Sequence, residues 1–585
     1  MDRLDYFTLA FYVVNLGTFH LIILLGNGLK IKAKCHENFS CSRHLRLTWL
    51  NYYADFADGQ WREFRGSLWL LWSCVILTVG VNVFIRFLCK QIATSSQNLR
   101  YRFYLQTAFR LIFAAVFMII QHNYHSVIII LIAVVGFHLA KTLKGSKHAT
   151  LLNWLYTIAV LLFKESYRVQ HHPSFSFLQP LFSRAYGGLY GWQLPANFLA
   201  LRLISFSLDY GRACRHHEKI SNVVETPTVW VEEHPHCALE QTTLPSPSQT
   251  DVHQNFACSQ LQQSNSPVKR SFTESPDHLD LSDYTFINFA SYMFYGPLYM
   301  AGPIITFSDF MRCAKNTEMK DIFPWIYCAR WLLCLALMEL LLHYFPLFAV
   351  IKSGLFFELS PGEIASAAYT ILTLMWLKFL LLWRFFRLWA LADGINAPEN
   401  MLRCVSNNYS LEQFWKGWHA SFNKWIISYL YLPLGGRKNR KVSVWAVFFF
   451  VAVWHDIEWK LIVWGALNSL FLLVEILAKK VRDSQYMSNF SPSAMHLICS
   501  MCGAFYIMVL MTVNLIGYAV GVDGMSEIYG IIATRDGIQV ILLSFYFLSV
   551  GTSFMIVLEE SKTKCILETK EPSAEPSELS KARSE

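Results

Sequence analysis

His455 stands in the middle of "FFFVAVWHDIEWKLIVWGAL", residues 448–467, a run otherwise dominated by apolar side chains, with Asp456 and Glu458 close behind it. An ionisable group in so apolar a segment costs free energy unless it is paired, hydrated or in contact with a substrate. The plainer reading is a core histidine pinned by a neighbouring helix. Yet His455 is not alone, because His419 lies upstream on the far side of "PLGG" (433–436). Two helices joined across such a break can bring both imidazoles into one cavity. A neutral imidazole, with an ordinary pKa of about 6.5, suits general-base work near neutral pH. Asp456 and Glu458 either line a wet rim or help to orient the His455 ring.

The residues around this pair divide into aromatic and cationic sets. Trp415, Trp418, Phe422, Trp425 and Tyr429 recur every three or four positions, which predicts a helical aromatic stripe. Such a stripe is more often an interfacial anchor than a site. His419 and Asn423 share another face of the same helix. Lys378, Arg384 and Arg387 lie in "WLKFLLLWRFFRLWALADGINAPENM" (376–401). They either snorkel toward an interface or form a basic wall for phosphate groups. "RKNRK" (437–441) reads as a cytosolic loop. Trp418, Asn423 and Trp454, with the three cations, are candidate substrate contacts beside the two histidines, and no spacing points to a metal.

The elements that must position these groups are membrane helices. Of the 585 residues, 54% are hydrophobic and only 16% charged, against about 25% charged in soluble domains; the mean hydropathy is +0.32. The uncharged runs 496–521 and 538–558 each exceed the roughly 20 residues that cross a bilayer. About ten to thirteen helices are expected in an all-α polytopic membrane fold, with some pieces short or re-entrant. Residues 1–29 form an N-terminal membrane segment that reads as a retained anchor. A polar loop (30–66) and an N-terminal membrane block (67–213) follow. A polar insertion rich in Ser, Pro and Gln (214–283) reads as disordered, as does the tail 559–585; between them lies a C-terminal membrane block, 284–558. No internal repeat is visible, which disfavours an inverted-repeat transporter. The 14 cysteines are scattered, many within apolar runs, so no disulfide framework is expected. Asn38-Phe39-Ser40 matches a glycosylation acceptor, which if used would make the 30–66 loop lumenal. The net charge of +9 is spread over loops and fits membrane topology and anionic lipid rather than nucleic acid.

"FWKGWHASFNKWIISYLYLPLGG" followed by "AVWHDIEWKLIVWG" resembles the signature region of the membrane-bound O-acyltransferases, and more narrowly of their Gup branch. Supporting stretches are "YTFINFASYMFYGPLYMAGPIITFSDF" (284–310), "NFLALRLISFSLDY" (197–210) and "DFADGQWREFRGSLWLL" (55–71), so the similarity covers most of residues 55–558. The resemblance implies transfer of a fatty acyl group from acyl-CoA, a co-substrate rather than a bound cofactor, to a hydroxyl. It places the catalytic histidine at His455 and the upstream polar partner at His419. Within the Gup branch it implies reacylation of a lyso-glycosylphosphatidylinositol (lyso-GPI) in the endoplasmic reticulum membrane. Related enzymes acylate a protein N-terminus. A lysophospholipid acceptor, a polyol transporter and a non-enzymatic scaffold are the alternatives. No serine or cysteine stands where a nucleophile–base pair is evident, which points to direct attack on the thioester. The 214–283 insertion departs from the family pattern.

Overall fold

Backbone polar groups in a bilayer must be satisfied within helices or a closed barrel, and the long apolar runs among the described residues form helices. A computed structural model of the protein describes residues 6–48, 51–92, 95–168, 192–224, 279–316, 323–485 and 487–568. The main helices of the N-terminal part are α1 (Tyr6–Gly17), α2 (Leu25–Glu37), α3 (Gly59–Ile92), α4 (Ser95–His122), α5 (His125–Leu143), α6 (Ala149–Arg168) and α7 (Gln193–Val224). After the 214–283 region come α8 (Trp325–Tyr344), α9 (Pro361–Ala392), α10 (Leu411–Gly417), α11 (Ala420–Ile426) and α12 (Arg440–His455). The last three are α13 (Trp459–Arg482), α14 (Pro492–Tyr518) and α15 (Arg535–Glu568). A π-helical turn, Thr18–Leu24, joins α1 to α2 as one span.

Nine helices among the described residues are long and apolar enough to cross a membrane. Helices α6, α7 and α12 pack with them without meeting that measure, and together the two sets account for the ten to thirteen expected. Helix α9 is the axis of the bundle: 56% of its apolar window is buried, against 11–33% in the other eight. Its start is set by sequence, with Pro361 at the first turn and a Ser360–Glu363 capping box in front. Its far end is tied to α4 by a buried Arg110–Asp393 ion pair at 2.9 Å, to which Asn82 and Tyr295 also donate hydrogen bonds. Arg202 on α7 donates to the carbonyls of Tyr292, Met293 and Leu298, clamping the short helices 286–299 against the bundle.

Three stretches carry more structure than their composition predicts. Residues 30–66, expected as a polar loop, hold the end of α2, a four-residue helix Phe39–Ser42, an antiparallel hairpin (β1 Leu45–Leu47, β2 Tyr53–Asp55) and the start of α3. A Cys35–Cys41 disulfide closes that short helix, contrary to the expectation of no disulfide. Asn38 of the glycosylation pattern lies inside the closed loop, where its side chain accepts from the Cys41 backbone N–H at 3.0 Å. Helix α7 continues to Val224, inside the expected insertion, and α15 to Glu568, inside the expected tail. Most of both polar segments lies outside the described residues.

Candidate active site

A helical ladder through residues 411–426 would carry His419 around the helix surface. Instead the ladder is interrupted. Met401 pairs with Trp418 as an isolated antiparallel bridge, with Leu402 N–H donating to the Gly417 carbonyl and Ala420 N–H to the Asn400 carbonyl. The Ser421 hydroxyl donates to Asn400 and accepts from Ile304 N–H. This local strand pairing ends α10 at Gly417, and His419 enters α11 with φ 46°, a left-handed conformation that few side chains adopt. The stripe Trp415–Tyr429 is therefore split between elements rather than running along one helix. Phe422, Trp425 and Tyr429 are buried in the core instead of anchoring an interface.

His455 is placed by a second break. It is the last residue of α12; Asp456 is fully extended and α13 begins at Trp459, so "HDIE" is where the helix ends. Helices α12 and α13 approach so closely that a Cβ on Gly465 would stand 3.0 Å from the Phe448 carbonyl oxygen. That crossing fixes Trp464, whose indole donates to Asn514 on α14. The His455 ring meets Trp454, Tyr518 and Trp464 at centroid distances of 4.8, 5.8 and 6.5 Å.

Both histidines line one cavity of about 1630 Å³. His419 stacks on Trp383 at 4.3 Å and 17°, and lies 6.3 Å from Trp454. The Trp454 indole is thus shared between the two imidazoles, and its own N–H is held by the Asn197 carbonyl at 2.9 Å. His419 Nε2 is buried without a hydrogen-bond partner among the described residues. A buried polar nitrogen left unpaired costs about 1–3 kcal/mol, so its place on a cavity wall suits an acceptor atom of a substrate. Trp418, Asn423 and Trp454 also line this cavity.

The three cations are elsewhere. Lys378 pairs with Asp58 at 2.8 Å, Arg384 and Arg387 share Glu399 at 3.4 and 3.8 Å, and Arg387 donates to the Ala397 carbonyl. None of the three lines the cavity. Its cationic lining comes from Lys416 and from Arg437, Lys438 and Arg440, the last three of which the sequence presents only as a basic loop, and, near His455, from Lys164. Glu412 organises part of that rim through Lys416 and Lys479, each at 2.9 Å, and Arg440 at 3.7 Å. Burial works to raise the Glu412 carboxyl, but the Lys479 and Lys416 ammonium groups outweigh it and hold its pKa at about 2. Arg440 and His455 stand at opposite ends of α12, about 22 Å apart at 1.5 Å per residue. Asp456 pairs with Lys164 at 3.2 Å and Glu458 with Lys460 at 2.8 Å. Sequence reading missed Lys164, Trp383 and Tyr518; Lys164 left one trace, a Lys-Glu pair at the end of an apolar run.

The arrangement can be set beside known proteins. Residues 192–520 match the family model described as MBOAT, membrane-bound O-acyltransferase family. The Membrane-bound O-acyltransferase GUP1 of Saccharomyces cerevisiae is 32% identical over 566 residues, 95% of this chain and 91% of that protein. Its namesake in Schizosaccharomyces pombe is 32% identical over 90% of this chain and 84% of its own length. The mouse Protein-cysteine N-palmitoyltransferase HHAT is 26% identical over 39% of this chain and 48% of that protein. With the match to the two GUP1 proteins running nearly end to end, this multi-pass membrane chain is an acyltransferase that belongs to the membrane-bound O-acyltransferase family, in its Gup branch.

Proposed function

We propose that this acyltransferase moves a fatty acyl group from acyl-CoA to the sn-2 hydroxyl of a lyso-GPI in the endoplasmic reticulum membrane, with His455 as general base. The observation that carries the reading is the convergence of His419 and His455 on one large, mainly aromatic and aliphatic cavity. His455 takes the acceptor hydroxyl proton as the oxygen attacks the thioester carbonyl. The carbon–sulfur bond then breaks, and the imidazolium returns the proton to the departing thiolate. His419 Nε2 hydrogen-bonds the carbonyl oxygen as charge develops on it, a role that preorganised donors fill in acyl transfer. The apolar walls keep out water, which would otherwise hydrolyse the donor. Lys416, Arg437, Lys438 and Arg440 offer counter-charge to the donor's phosphates. The acceptor assignment rests on likeness to the Gup branch.

The test is His455→Ala in microsomes given labelled acyl-CoA and lyso-GPI. Transfer should fall about a hundred-fold or more, while abundance and membrane insertion stay unchanged. Full activity in the variant would remove His455 from the chemistry. Labelling confined to a protein amine or a lysophospholipid would reassign the acceptor. Glycerol flux that depends on the protein, with no acyl transfer, would point to transport.

A further inference from the structure

Lys164 is 2% exposed, on a helix that lies before the stretch matched by the family model. A buried ammonium is costly unless its charge and its three donors are used. Here they are: Nζ reaches Glu165 at 3.1 Å, Asp456 at 3.2 Å and the backbone carbonyl of His455 at 3.4 Å. That carbonyl belongs to the last residue of α12, where the helix leaves its final C=O groups without partners and carries the negative end of its dipole. A cation at that position answers both. The residue before it is held as well, since Trp454 donates to the Asn197 carbonyl of α7. Beyond it the α12 ladder makes one last bond, from Asp456 N–H to the Ala452 carbonyl at 3.2 Å, and the chain is then extended at Asp456.

We propose that Lys164 is a positioning residue for His455, fixing the end of α12 through the His455 carbonyl and the Asp456 carboxylate so that the imidazole keeps its place in the cavity. This rests on the reading of His455 as general base. It also gives Asp456 a role: it orients the ring through the backbone, not by touching it. A misplacement of about 1 Å is worth roughly a hundred-fold in rate, so the effect belongs in kcat rather than in donor binding.

Purified full-length protein, wild type and variants, is assayed with acyl-CoA and lyso-GPI. Lys164→Met should lower kcat about ten- to a hundred-fold, with KM for acyl-CoA unchanged within about two-fold. Lys164→Arg, which can still donate to both groups, should recover most of that loss. Asp456→Asn touches a half-exposed side chain and leaves the fold intact, so it decides the matter if Lys164→Met does not fold; it should also lower kcat. Combining it with Lys164→Met should cost no more than the worse single change. Wild-type kcat in Lys164→Met or Asp456→Asn, or losses that simply multiply, would overturn the proposal. His455→Ala run alongside separates the two readings. If it is fully active, the role of His455 fails; if it is inactive while Lys164→Met is normal, only the role of Lys164 fails.

Discussion

At the scale of single residues, His419 is held in a conformation that its own chemistry does not favour. A left-handed backbone costs a non-glycine residue of order 1–3 kcal/mol and persists where surrounding contacts over-determine it. Here those contacts are the Met401–Trp418 bridge behind it and the Trp383 ring stacked on its face. Glycine takes the same backbone at no steric cost, and asparagine is among the residues that adopt it most readily. His419→Gly therefore keeps the turn and deletes the side chain, whereas His419→Asn keeps the turn and a shorter hydrogen-bond donor. If Nε2 serves the thioester carbonyl, kcat should rank wild type above Asn above Gly. The Gly variant should fall about a hundred-fold, as when one oxyanion donor is removed, with its unfolding temperature close to wild type. Equal rates in all three proteins would mean that the imidazole is not used.

At the scale of elements, the site depends on where helices stop, and stops are made by distant partners. The hairpin β1–β2 shows the same rule away from the cavity. Asp55 is buried, and its carboxylate accepts from Ala57 N–H at 2.8 Å and from Ala349 N–H at 2.9 Å, joining the hairpin to the chain beyond α8. Burial nevertheless dominates and lifts its pKa from 3.8 to about 6. Below the lower value the folded and unfolded chains both hold the proton. As pH rises toward 6 the unfolded chain releases it first, so stability falls, by about 3 kcal/mol when the rise is complete. Thermal unfolding in detergent should therefore show wild type losing ground to Asp55→Asn between pH 4 and 6; parallel curves over that interval would remove the assigned cost. The limits of sequence reading follow from the same physics. Apolar runs declared most of the spans, and the two histidines marked residues that line one cavity, because both signals are local. The break at Trp418–His419 did not show in the aromatic period, because it is made by Met401 and Asn400. Lys378, Arg384 and Arg387 were visible as cations, but their partners Asp58 and Glu399 lie far off in the chain or across a turn, so the residues alone read equally well as a phosphate wall.

At the scale of the whole molecule, the cavity needs more of the chain than the family-matched stretch. Leu16 and Phe19 come from the first span, and Phe547, Leu548, Gly551 and Met555 come from the last, on either side of residues 192–520. The two ends are fastened to each other by a part-buried hydrogen bond between Tyr12 and Ser553 at 2.7 Å and an exposed one from Tyr546 to Asn15 at 2.8 Å. Apart from His20, the lining that these two helices supply to this lobe is apolar, and none of it belongs to the basic rim, which suits the hydrocarbon of an acyl donor. Gly551 lies on its wall, and a Cβ there would meet only Leu16, at 3.8 Å. A larger side chain at that position can therefore enter the lobe with little strain on the backbone and shorten the space for a chain. Gly551→Phe should depress transfer of the longest saturated acyl-CoAs several-fold more than that of the shortest. The readout is kcat/KM across a series of donors of increasing length, with lyso-GPI held constant. A uniform loss at every length would place the hydrocarbon in another part of the cavity. A loss confined to the long donors would make the first and last helices, which the family match leaves out, the elements that set acyl-chain length.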